Sequence, residues 1–166
     1  LEKLARSISD TLSSEFFTKV NVGIGTPVVG VKDLARSFKE AQTALEVGKV
    51  FDTDKNIVSY DNLGIARLIY HLPTTLCETF LKEVFKKNSI ESLDHETLFT
   101  IQKFFENSLN VSETSRKLFV HRNTLVYRLD KIKKLTGLDL REFDHAIIFK
   151  IALMVKKYLA ANPTKF

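Results

Sequence analysis

Cysteine is almost missing from this chain, since only Cys77 among 166 residues carries a thiol. An intrachain disulfide is therefore excluded. No Cys or His stands at zinc-ligand spacing around it, so Cys77 is read as an inert, partly buried thiol. Long apolar runs are lacking too. The richest, Ala146 to Val155, contains Lys150 and falls short of the roughly 18 to 20 residues needed to cross a bilayer. The start shows no basic region followed by an apolar stretch and a small-residue cleavage site. No secretory signal is read, and a cytoplasmic protein without a membrane partner is expected. Disorder is not expected, because the composition is 44% hydrophobic and 27% charged.

Catalytic groupings are equally scarce. His71, His95 and His145 are scattered without a carboxylate or second histidine at ligand spacing. Asp33, Asp52, Asp54 and Asp61 form no paired metal-binding pattern, and no nucleophile, base and orienter can be assembled from local spacing. The expectation is a protein that is not an enzyme, with no catalytic residues, no metal and no cofactor. Asn110, Val111 and Ser112 fit a glycosylation acceptor, but the tripeptide is read as a turn.

Positive charge, in contrast, is concentrated. Between Val111 and Leu140 stand Arg116, Lys117, Arg122, Arg128, Lys131, Lys133 and Lys134 against Glu113, Asp130 and Asp139, which gives +4 of the chain's +5. Such a field attracts a polyanion such as nucleic acid, although a solvated basic face has the same composition.

Periodicity divides the chain in two. Leu4, Ile8, Leu12 and Phe16 form a helical stripe within residues 1–17, and Val20, Val22 and Ile24 alternate as in a strand that Gly25 and Pro27 end. Gly23 and Gly25 are assigned to this strand end rather than to a phosphate cradle. Asp33 is the expected N-cap of a helix carrying Leu34, Phe38, Ala41, Leu45 and Val47, which Gly48 weakens. A short strand, Asn56 to Tyr60, follows Asp52 to Asp54. Two strands make a poor sheet, so the chain is expected to begin inside a domain that upstream residues or a partner copy complete.

From Leu63 onward strand signals stop. Leu63, Ile65, Leu68, Ile69 and Leu72 indicate a helix halted at Pro73, and Leu76, Phe80, Leu81, Val84 and Phe85 indicate another. Lys86 to Ser89 form a polar loop in the hinge region. Leu98, Ile101, Phe104, Phe105 and Leu109 mark the next helix, with Asp94 as its cap and Glu96 and Thr97 in its first turn. The fold class is α+β: a truncated α/β portion over residues 1–62, a helical linker over 63–90 and an all-α domain over 91–166.

Within that last domain, Ser112 is expected to cap a short helix from Glu113 to Leu118. His121 then opens a longer one from Arg122 to Leu135, stopped by Thr136 and Gly137. A short helix, a tight connection and a longer basic helix are the layout of a helix-turn-helix. At about 100° per residue, Leu125, Leu129 and Ile132 share one face and must pack inward. Asn123, Thr124, Tyr127 and Lys131 then face outward, with Arg122 and Arg128 on the flanks and Lys134 further along. Arg pairs with guanine, Asn with adenine, and Thr offers a hydroxyl and a methyl, so Arg122, Asn123 and Thr124 are the base-reading candidates. Tyr127 suits a base edge or a phosphate, whereas Arg128, Lys131 and Lys134 suit backbone oxygens. For His121 a cap, a phosphate contact and simple packing all remain open. A solvated amphipathic helix in a bundle is the bland alternative.

The run Leu118, Phe119, Val120, His121, Arg122, Asn123, Thr124, Leu125, Tyr127, Arg128 and Leu129 resembles the C-terminal signature of the CdaR/PucR bacterial regulators. Agreement extends through residues 98–111 and 136–140, about the last seventy residues. The resemblance implies a DNA-binding module in which the helix from Arg122 contacts DNA, in a family that includes sugar-diacid and purine-catabolism activators. Asn21 to Gly25, Leu34 to Val47 and Tyr60 to Gly64 resemble the degenerate GGDEF-like domain of the same regulators. The hairpin signature of active cyclases of that fold would lie before Leu1.

The helix expected over Phe143 to Leu159 is apolar almost all round. It must be covered on more than one side, by the helix of Leu98 to Leu109 and the helix-turn-helix, by a second copy, or by both on different faces. The expected function is a homodimeric DNA-binding regulator of a sugar-diacid or purine type catabolic operon, with double-stranded DNA as partner and a small-molecule effector acting through regions outside this chain. A nucleotide-cyclase-like signalling protein and a protein-interaction module with a basic helix are the rival readings.

Overall fold

The computed structural model describes residues 1–51, 55–85 and 93–162. The expected polar loop of Lys86 to Ser89, and Asp52 to Asp54, lie outside these residues. Two compact units emerge, one formed by residues 1–74 with the chain from Met154 onward, the other by residues 75–153.

In the first unit, helix α1 (Glu2–Phe16) precedes strand β1 (Val22–Ile24), helix α2 (Leu34–Phe51), strand β2 (Ile57–Ser59) and helix α3 (Ile65–Tyr70). The strands are parallel, with Val22 opposite Ile57 and Ile24 opposite Ser59. Parallel neighbours need a crossover, and α2 supplies it. Small residues let α2 lie close on the strands. A Cβ added at Gly23 would stand 2.2 Å from the Ala41 carbonyl oxygen, and one at Gly48 would stand 2.7 Å from Val58 Cγ2. Gly48 is therefore buried inside α2, and the helix runs past it to Phe51. Ala44, Val47, Val58, Leu63 and Ala66 form the small core beneath.

Two details depart from expectation. Asp33 closes a 3-10 turn, Val31–Asp33, that leads into α2, and its carboxylate pairs with Arg36 at 3.7 Å. The apolar stripe of α1 is not its buried side. Ala5 and Ser9 are buried and Asn56 Nδ2 donates to Ser9 Oγ at 2.9 Å, while Leu4, Ile8 and Phe16 are exposed.

The second unit contains most of α4 (Thr74–Val84), then α5 (His95–Glu106), α6 (Val111–Lys117), α7 (Arg122–Thr136) and the first part of α8 (Phe143–Ala161). Ile101, Phe104, Leu125, Leu129, Ile132, Leu140, Phe149 and Ala152 are completely shielded and share one core. Phe85 meets Phe149 edge to face at 5.7 Å between ring centroids. Each such large side chain contributes about 1.5 to 3 kcal/mol when fully buried, and this burial fixes the rotation of α7. The opening stretch of α8 thus packs as expected against α5 and α7, leaving Phe143 and Ile147 outward. Cys77 is buried in α4, and burial pushes its thiol pKa up, as suits an unreactive group. Among the described residues no helix is long and apolar enough to cross a membrane.

Candidate nucleic-acid interface

The helix-turn-helix is built by its caps. Asn110, not Ser112, begins α6, because its Oδ1 accepts the Glu113 N–H at 3.0 Å and the helix already includes Val111 and Ser112. Asn and Ser are comparable caps, and a two-residue shift along Asn110-Val111-Ser112 decides which of them stands at the boundary. The first turn also carries Glu113, whose carboxylate holds Arg116 at 2.6 Å. At the far end the Phe119 N–H reaches the Arg116 carbonyl at 3.1 Å and the Val120 N–H reaches that of Ser115 at 3.0 Å. The chain reverses there with Phe119 at φ 55°, and Leu118 and Val120 pack against the core on either side.

Of the three roles open to His121, the structure shows the cap: its Nδ1 accepts the Asn123 N–H at 3.2 Å. Helix α7 follows to Thr136, and Gly137 takes the left-handed conformation at φ 79° that stops it. Leu125, Leu129 and Ile132 face the core at 0% exposure. His121, Arg122, Asn123, Thr124, Lys131 and Lys134 are exposed, and Tyr127 projects at 71% exposure. The polar strip is continuous over the first turns of the helix.

Two of its cations are tethered. Arg128 is half-buried; its Nη2 donates to Glu96, and its Nη1 donates to Thr100 Oγ1 at 3.2 Å. Lys131 Nζ lies 3.2 Å from Asp94 Oδ2. Asp94 also caps α5, accepting the Thr97 N–H at 2.7 Å, and these bonds hold its pKa down at about 2, with Thr97 the main cause and Lys131 the next. Arg122 and Lys134 have no ion-pair partner among the described residues. The strip therefore presents free cations at its tip and far end, and neutralised ones along the side nearest α5.

Past the end of α7, the Asp139 carboxylate receives the Arg141 N–H at 3.1 Å, Arg141 Nε at 2.8 Å and Lys133 Nζ at 3.1 Å. Arg141 reaches back to Asp130 at 2.8 Å. The connection between α7 and α8 is locked by this knot. Sequence reasoning named Asp94 only as a cap and assigned no partner to Glu96 or Asp139. The partners of Asp94 and Glu96 lie on α7, so only the packing of α5 against α7 brings those charges together, whereas Asp139 meets Arg141 two residues along the same connection and Lys133 near the end of α7.

The first unit offers no comparable chemistry. Asp61 accepts from Thr26 Oγ1 at 3.0 Å and Asp33 pairs with Arg36, and the described residues hold no cluster of three metal-ligating side chains. Gly23 and Gly25 serve close approach to α2, the Gly25 Cβ position lying 2.0 Å from the Ser37 carbonyl oxygen.

Comparison with known proteins agrees with this division. Residues 97–155 match the model of the PucR C-terminal helix-turn-helix domain, and residues 1–47 match that of a GGDEF-like domain. The chain is 31% identical over 139 residues to the carbohydrate diacid regulator of Escherichia coli, covering 82% of this chain and 36% of that protein. The chain belongs to the CdaR/PucR family. The purine catabolism regulatory protein of Bacillus subtilis is 26% identical over 150 residues, which cover 90% of this chain and 28% of the relative. The proline-responsive transcriptional activator PutR of Bacillus subtilis is 27% identical over 146 residues, which cover 84% and 35%. The chain thus spans about a third of the length of these family members. A solved regulator of polyketide synthase expression from Bifidobacterium adolescentis aligns with a TM-score of 0.43 at 24% identity, over 76% of this chain and 49% of that one.

Proposed function

We propose that this chain is the DNA-binding portion of a bacterial transcription regulator that controls a catabolic operon of the sugar-diacid or purine type. Residues 91–166 read duplex DNA, α7 enters the major groove, and Arg122, Asn123 and Thr124 address base edges. Tyr127 lies one turn further along the same face. His121, Lys134, Arg128 and Lys131 anchor the phosphates, the last two by exchanging Glu96 and Asp94 for phosphate oxygens. Two copies act together on a two-fold operator, with the exposed start of α8 available for their contact. A metabolite signal arrives through regions outside these 166 residues, the GGDEF-like part has no catalytic task, and the protein works in the cytoplasm.

The observation carrying this reading is the division of α7 into a completely buried aliphatic face and an exposed face of Arg, Asn, Thr and Tyr at its N-terminal end. A merely structural bundle helix has no need to gather base-reading side chains at one solvent-facing tip. Fluorescence anisotropy with duplexes selected from a random pool tests it. Alanine at Arg122 or Asn123 should cost about 1 to 3 kcal/mol on the selected sequence and little on unrelated duplex. Alanine at Lys131 should weaken all sequences alike and reduce the salt slope by about one. Lack of affinity for any duplex at low salt contradicts the reading.

A further inference from the structure

Phe119 is an anomaly on three counts. It occupies the left-handed backbone region at φ 55°, which a bulky side chain adopts only against a conformational cost. Its ring is 95% exposed, so no packing within the chain offsets that cost. The position is also fully determined: Leu118 and Val120 are drawn into the core, and the N–H groups of Leu118, Phe119 and Val120 are bonded to α6 carbonyls at 2.9, 3.1 and 3.0 Å. The turn cannot swing the ring inward. A glycine here would hold the same turn without strain, so nothing inside the chain calls for the aromatic ring.

We propose that Phe119 is an apolar DNA contact, its ring packing on deoxyribose C–H groups and thymine methyls at the groove wall beside the tip of α7. This rests on the DNA-binding reading above and deepens it. Charge favours DNA as the occupant, since the turn is bracketed by exposed Lys117 on one side and exposed Arg122 on the other, with Arg116 beside them paired to Glu113. Distance permits it as well. Three residues of chain span at most about 11 Å, so when Arg122 reaches a base edge in a groove about 12 Å wide, Phe119 is within range of the adjoining strand. An apolar contact of this kind releases no counterions, which separates it from the lysines.

The test uses the whole chain and a duplex that the unaltered chain enriches from a randomised 30-base-pair library. Phe119→Gly and Phe119→Asn both suit a left-handed turn. Each should keep or raise the thermal unfolding midpoint and the oligomeric state, yet weaken binding about tenfold with the salt slope unchanged. Phe119→Leu should retain most of the affinity. Unchanged affinity in the glycine and asparagine variants overturns this inference alone, as does a loss that follows from altered self-association, which would place the ring on a second copy. Failure of the unaltered chain to bind any duplex overturns this inference together with the reading beneath it.

Discussion

Asp139 gathers more charge than its place just past α7 would suggest. Its side chain is nearly enclosed and is met by Arg141 through the backbone N–H, Nε and Nη2, and by Lys133. These bonds, Arg141 first, hold its carboxyl well below the usual range, while Asp94 is lowered to about 2 from an ordinary 3.8. A carboxylate whose pKa is depressed by folding lends stability that is complete above its unfolded value and is lost as pH falls through the folded one. The unfolding midpoint should therefore be flat above about pH 5 and decline below about pH 4, where both carboxyls begin to take up protons in the unfolded chain; the Asp94 contribution is exhausted near pH 2, while that of Asp139 goes on falling at lower pH. Asp139→Asn should cost about 2 to 3 kcal/mol near neutral pH and make the acid decline shallower. Thermal melts across pH check both, and an asparagine variant with wild-type stability and an unchanged acid limb would contradict the role given to this carboxylate.

Among the elements, α2 and α7 differ in how much of them the sequence disclosed. The period of Leu125, Leu129 and Ile132 predicted the buried face of α7, and Gly137 predicted its end, because both signals are local and strong. The face of α1 was illegible. Leu4, Ile8 and Phe16 point outward while the small Ala5 and Ser9 are buried, a choice of face that comes from the neighbours and not from the apolar period of α1 itself. Gly48 likewise reads as a helix breaker until Val58 is placed against it. Gly48→Ala should destabilise the first unit by about 1 to 3 kcal/mol although alanine is the better helix former, since its Cβ would fall 2.7 Å from Val58 Cγ2. Denaturant unfolding of the variant measures this, and a gain in stability would mean that α2 can lift from the strand without loss. The ion pairs from α5 to α7 were hidden for the same reason as the α1 face, because sequence shows which charges exist and packing decides which of them meet.

For the chain taken whole, charge and family point to one activity. Nearly all of the net +5 lies between Val111 and Leu140, on the helix-turn-helix. Of its cations, Arg116, Arg128, Lys131 and Lys133 pair with Glu113, Glu96, Asp94 and Asp139, which leaves the N-terminal tip of α7 as the place where unpaired charge and the side chains proposed to read bases coincide. Affinity for DNA in general should therefore be modest and steeply salt-dependent, with specificity drawn from a few residues. Amide resonances of the isotopically labelled chain, followed while duplex DNA is added at low salt, test this most directly. The account predicts that the largest shifts fall on residues 119–127 and on Lys131 and Lys134. Shifts confined to α1 and α2, or none at all, would contradict it.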